Sequence, residues 1–122
     1  MKPEVLVIDD DRPILEMMKI VLERIGYRPL LAASADEGLA LVRSARPELL
    51  LLDVTMAPVD GWQVLDALAA DPDLPATPVM LFTARPLESA EYERHQGSIV
   101  EVLEKPIAPL ELKKVLDHFF AG

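Results

Sequence analysis

The sequence predicts an α/β fold: one domain over residues 1–122, a doubly wound (βα)5 arrangement with a parallel sheet and helices on both faces. Two observations carry this. Short, wholly apolar runs of the kind buried on both faces of a sheet alternate with stretches whose apolar residues recur at helical spacing. In addition, three of these runs lead directly into an acid or a hydroxyl, and a fourth, less apolar run leads through Glu104 to a lysine, the residue types that assemble sites at strand ends.

The first run, Val5 to Ile8, is followed by Asp9, Asp10 and Asp11 and then by a helix read from Ile14, Met18, Val21 and Ile25, with Pro13 tolerated in its first turn. Asp11 is expected to cap that helix, which leaves Asp9 and Asp10 without a structural duty. Gly26-Tyr27 closes the helix, and residues 28–33 read as a strand. Pro29 cannot donate to a ladder, so this strand belongs at an edge. Ser34 caps a helix over 35–44 with Leu39 and Val42 inward, ended by Arg46-Pro47. Leu49 to Leu52 is the third strand and ends on Asp53. The loop 54–60 leads through Gly61 into a helix ending near Asp71, with Leu65 and Leu68 inward. A proline-rich connection, 71–78, precedes the fourth strand, Val79 to Phe82, which ends on Thr83. Residues 87–96 form a weak helix candidate with few periodic apolar positions. Ile99 to Leu103 is the fifth strand, leading to Glu104-Lys105-Pro106, and the last helix, 109–121, presents Leu112, Val115, Leu116 and Phe119.

The bulk numbers narrow the function classes. The chain has 122 residues, 51% of them apolar, enough to form a core and too many for disorder. Twelve basic against 21 acidic residues give a net charge of −9, a field that repels phosphate backbones, so no direct nucleic-acid binding is expected. There are no cysteines, which excludes disulfides, thiolate metal sites and a cysteine nucleophile. No apolar run approaches a membrane span and the start has no signal-peptide core. A soluble, cytoplasmic protein without membrane contact is expected.

In parallel α/β sheets ligands bind beyond the carboxyl ends of the strands. There the topology brings together Asp9 and Asp10, Asp53, Thr83 and Lys105. Singly, each has a plainer reading as a cap, a turn residue or a solvated charge; their joint placement points to a site. Crowded carboxylates repel unless a cation sits among them, and Mg²⁺ suits an all-oxygen set. Asp53 stands alone on its strand and is read as a nucleophile able to become an aspartyl phosphate, with Asp9 and Asp10 a pair suited to metal. Lys105 would neutralise phosphoryl charge and Thr83 would donate a hydrogen bond to it. His95 and His118 lack ligand spacing and read as surface residues; Trp62, Phe119 and Phe120 read as packing residues.

These residues resemble the receiver domain of two-component response regulators over the whole chain. The resemblance rests on V-L-V-I-D-D-D (5–11), P-E-L-L-L-L-D (47–53), D-V-T-M-A-P-V-D-G (53–61), F-T-A (82–84) and E-K-P-I (104–107). It implies a sheet order of 2-1-3-4-5. It implies that Asp53 accepts phosphate from a sensor histidine kinase or a histidine phosphotransfer protein. Mg²⁺ would bind Asp10, Asp53 and the backbone carbonyl of Thr55 directly and Asp9 mainly through water. The Lys105-Pro106 bond would be cis. Phosphorylation would shift a conformational equilibrium controlling a partner or output domain, with a homodimer as one assembly. Such a chain is no enzyme beyond its own phosphotransfer and autodephosphorylation. Three departures stand out. Ala57 follows Met56 where receivers usually have proline, which here comes at Pro58; Gly97 lies one place early; and Val102 replaces the usual aromatic before the lysine. The switch is therefore expected in segment 84–97 rather than at Val102. Two alternatives are a haloacid-dehalogenase-type phosphatase, disfavoured because Arg12-Pro13 breaks its motif, and a phosphorylation-independent receiver-like interaction module.

Overall fold

The apolar runs become the strands of one parallel sheet. A computed structural model describes residues 2–84 and 90–121. Along the chain come β1 (Glu4–Ile8), α1 (Arg12–Arg24), β2 (Arg28–Ala32), α2 (Ala35–Ala45), β3 (Leu49–Leu52), α3 (Gly61–Ala70), β4 (Val79–Thr83), α4 (Ala90–His95), β5 (Ile99–Glu104) and α5 (Pro109–Ala121). The sheet order is β2-β1-β3-β4-β5, with every neighbouring pair parallel. β2 lies at an edge, as Pro29 requires. Of the helix expected over 87–96, residues 87–89 lie outside the described residues, and a 3-10 turn, Gln96–Ser98, follows α4. Arg85 and Pro86 of the loop after Thr83 also lie outside them.

Side-chain alternation divides the interior into two layers. Val5, Val7, Leu49, Leu51, Met80 and Phe82 pack with α1 and α5 on one face. Leu6, Ile8, Leu50, Leu52 and Leu81 pack with α2 and α3 on the other. Val5 to Ile8 of β1 and all of β3 are fully buried, and each such side chain contributes about 1.5–3 kcal/mol by leaving water. The inward stripe of α1 is Leu15, Met18 and Leu22, with Ile14, Val21 and Ile25 half-buried beside it. On α3 the buried pair is Val64 and Leu65, and Leu68 packs at the margin.

The caps follow the sequence. Asp11 accepts a hydrogen bond from the Ile14 N–H at 3.3 Å, and Ser34 accepts one from Glu37 N–H at 3.2 Å. Asp60 and Gln63 form a reciprocal capping box at the start of α3. α1 ends on Gly26 at φ 101°, a left-handed turn that glycine takes without strain. There the Tyr27 N–H donates to the Leu22 carbonyl at 2.8 Å and the Gly26 N–H to the Glu23 carbonyl at 3.3 Å. Lys105-Pro106 is cis, as the resemblance implied, and so is Ala57-Pro58.

His95 departs from expectation. It is buried rather than a surface residue, stacked on Trp62 and bonded to Asp66. Together with half-buried Tyr92, which packs against the α2–α3 layer, it anchors α4.

Candidate functional site

The last rungs of the sheet set the backbone of the site. Asp9 N–H donates to the Ala32 carbonyl at 3.1 Å, Asp53 N–H to the Ile8 carbonyl at 3.1 Å, and Lys105 N–H to the Thr83 carbonyl at 2.9 Å. Each residue just past a strand is thus pinned by its neighbouring strand, so the acids, the threonine and the lysine line one edge. Of these, Asp9, Asp53 and Thr83 are buried, with 1%, 3% and 0% exposure, while Asp10 is exposed.

The Asp53 carboxylate is held by Thr55. Its Oδ1 accepts from the Thr55 N–H at 3.1 Å and from the Thr55 hydroxyl at 3.0 Å. Oδ2 faces the Lys105 ammonium at 3.5 Å. These bonds fix the carboxylate plane at the mouth of the central strand. α3 starts directly against this segment: a Cβ on Gly61 would stand 2.5 Å from the Asp53 carbonyl oxygen and 2.7 Å from Val54 Cα. Only glycine permits that approach.

Lys105 is shared. Its Nζ lies 2.5 Å from Asp9 Oδ2 and 5.1 Å from the centroid of the Phe82 ring, so the cation has a carboxylate and a π face beside it. Asp9 Oδ1 also accepts from the Asp11 N–H at 2.9 Å. Burial pushes the Asp9 carboxyl above the usual carboxylate range; Lys105 and the Asp11 N–H pull against that, and the nearby Asp53 charge adds to it. Asp10 Oδ2 accepts from the Ala57 N–H at 3.4 Å, tying the first acidic turn to the loop after β3.

Asp9, Asp10 and Asp53 each offer a carboxylate oxygen within 4.8 Å of the others. The donor set is all oxygen and anionic, with no imidazole or thiolate, which fits a hard divalent cation. The structure brings Asp9, Asp10, Asp53 and Lys105 together and places Thr83 at the end of the adjacent strand. Sequence reasoning missed the Thr55 side chain, which takes part through its hydroxyl. An Asp-x-Thr spacing in a turn is the local signal that would have suggested it.

Residues 5–117 match the family model for the response regulator receiver domain. Among curated proteins, the chain is 33% identical over 109 residues to the transcriptional regulatory protein YvrH of Bacillus subtilis, covering 88% of this chain and 45% of YvrH. It is 27% identical over 118 residues to protein PilH of Pseudomonas aeruginosa, covering 97% of this chain and 98% of PilH. The chain therefore spans about half of one relative and nearly all of the other. Among solved structures, the N-terminal domain of a response regulator receiver protein from Methanoculleus marisnigri is 35% identical with a TM-score of 0.80, covering 98% of each chain. The receiver domain of the sensor histidine kinase PA1611 from Pseudomonas aeruginosa, whose structure has a magnesium ion coordinated in its active-site cleft, is similar in fold, with a TM-score of 0.86 at 21% identity over 100% of both chains.

Proposed function

The chain belongs to the response regulator receiver domain family, and on that premise we propose that Asp53 is the phosphoacceptor of a two-component, histidine-to-aspartate phosphorelay. One observation carries the reading: a buried carboxylate at the end of β3, fixed by Thr55, with two further acids and a lysine gathered around it. The Asp53 carboxylate attacks the phosphorus of a phosphohistidine; the P–N bond breaks, a P–O bond to aspartate forms, and imidazole leaves.

Asp10, Asp53 and the Thr55 backbone carbonyl are assigned as direct ligands of Mg²⁺, with Asp9 acting through water. Bound there, Mg²⁺ supplies positive charge against the phosphoryl oxygens. Lys105 supplies a second positive charge and Thr83 a hydrogen-bond donor to the transferred group. Asp9 holds the Lys105 ammonium at the site before the phosphoryl group arrives. The resulting aspartyl phosphate shifts a conformational equilibrium through its differential contacts with two states. The partners assigned are a sensor histidine kinase or histidine phosphotransfer protein upstream, and an output domain, partner protein or second copy downstream. The chain is assigned as a cytoplasmic signalling domain, not an enzyme acting on a separate substrate. In keeping with this, no helix among the described residues is long and apolar enough to cross a membrane, and the charge of −9 disfavours nucleic acid.

Incubation with acetyl phosphate and Mg²⁺ followed by intact-mass measurement tests this. A gain of one phosphoryl group supports a receiver. Repeated turnover would mark a phosphatase instead, and no change an interaction module independent of phosphorylation.

A further inference from the structure

Among the described residues α4 runs from Ala90 to His95, and side chains tie its C-terminal end to α3. His95 ends the helix and is 7% exposed. Its Nδ1 lies 2.6 Å from the backbone carbonyl oxygen of Glu91, and its Nε2 lies 2.8 Å from Asp66 Oδ1 on α3. The ring stacks on Trp62 of α3 at 5.3 Å between centroids, with 28° between the planes.

A carbonyl oxygen only accepts, so Nδ1 needs a hydrogen to bond Glu91. An ionised carboxylate also only accepts, so Nε2 needs one to bond Asp66. Only the imidazolium carries both; either neutral tautomer leaves one nitrogen lone pair facing an acceptor. We propose that His95 is a proton-operated latch, tying the C-terminal end of α4 to α3 as imidazolium and loosening that tie when it loses a proton.

The groups around the ring suit a latch rather than a permanent pair. From α3, Asp66 attracts the imidazolium and the Trp62 face adds a cation–π contact. From α4, Arg94 Nη2 stands 3.7 Å from Asp66 Oδ2, sharing that carboxylate and opposing a second positive charge. The Glu91 and Glu93 side chains on α4 are exposed, and the 3-10 turn Gln96–Ser98 brings no titratable group. Among the described residues, Asp66 is the charged side chain bonded to the ring. Because Asp66 is itself 56% exposed, water can replace the contact once the proton is gone. The inference does not rest on phosphorylation of Asp53 and is tested without it.

Trp62 is the only tryptophan in the chain, so its emission reports on the ring stacked against it. The other histidine, His118, is exposed on α5 and serves as an internal reference in NMR titration. Trp62 emission and amide protection at Tyr92 to His95, corrected for intrinsic exchange, are followed from about pH 5 to 8, where histidine changes charge. The expected result is that emission rises and protection falls in one shared step as pH increases. Asp66→Asn moves that step to lower pH, and His95→Gln abolishes it in both signals. An emission step that survives His95→Gln, or α4 protection that stays flat while His95 titrates in the unsubstituted protein, would overturn the latch.

Discussion

Lys105 is held more closely by Asp9 than by Asp53: its ammonium lies 2.5 Å from Asp9 Oδ2 and 3.5 Å from Asp53 Oδ2. The cation assigned to the phosphoryl group is thus held next to Asp53 by an acid that is itself 1% exposed. Lys105→Ala leaves Asp9 buried without its counter-charge. We expect a loss of stability of about 3 kcal/mol at neutral pH, the cost of breaking a buried pair from one side. Urea denaturation measures it, and an unchanged midpoint would mean that Asp9 finds compensation elsewhere.

Asp9 contributes to the pH response of the metal-free fold. Its folded carboxyl titrates above its unfolded value, chiefly because it is buried. Between those two values the folded state binds more protons than the unfolded one, so stability falls as pH rises through the folded value. Asp9→Asn removes this cost while keeping an acceptor for Lys105. The substituted protein should be the more stable at pH 7, with the advantage fading as pH drops toward the unfolded carboxylate value of about 3.9. Denaturation curves in a chelator across that range check the sign; a deficit for Asp9→Asn at pH 7 would reverse it.

Mg²⁺ should raise the stability of the protein by relieving repulsion among Asp9, Asp10 and Asp53. At ten times its dissociation constant the gain is about 1.4 kcal/mol. Asp10 is exposed, so Asp10→Ala should cost the metal-free fold little yet lose most of the Mg²⁺ gain. Melting curves with and without the ion decide this. Equal Mg²⁺ shifts in both proteins would remove Asp10 from the metal site.

Gly61 links the start of α3 to the Asp53 backbone. A methyl group there would meet the Asp53 carbonyl oxygen at 2.5 Å and Val54 Cα at 2.7 Å, neither of which can rotate away. Gly61→Ala should destabilise by about 1–3 kcal/mol and slow phosphorylation by displacing Asp53. Parallel denaturation and phosphorylation rates test it. A normal rate in a destabilised protein would show that the shift is absorbed by α3 alone.

Most of the fold was legible because its signals are local. Four-residue apolar runs, the proline of β2 and the Asp11 and Ser34 caps each act within a few positions of themselves. The site acids were legible because parallel topology sends every strand end to one edge. What escaped is non-local. Burial of His95 depends on Trp62 and Asp66 of another helix, and nothing around residue 95 announces it. The preference of Lys105 for Asp9 over Asp53 is a difference in distance, which strand order does not contain. The Thr55 hydroxyl was within reach of reasoning, since a threonine two places after an aspartate in a turn bonds back to it.

Whether Asp53 takes the phosphoryl group is tested most directly by mass mapping of the protein and its Asp53→Asn form after reaction with acetyl phosphate and Mg²⁺. An amide is a poor nucleophile and a weaker metal ligand. The unsubstituted protein should carry one hydroxylamine-labile phosphoryl group on the peptide containing Asp53, and the substituted protein none. The same modification appearing at the normal rate in Asp53→Asn, or mapping to Asp9 or Asp10, would contradict the assignment.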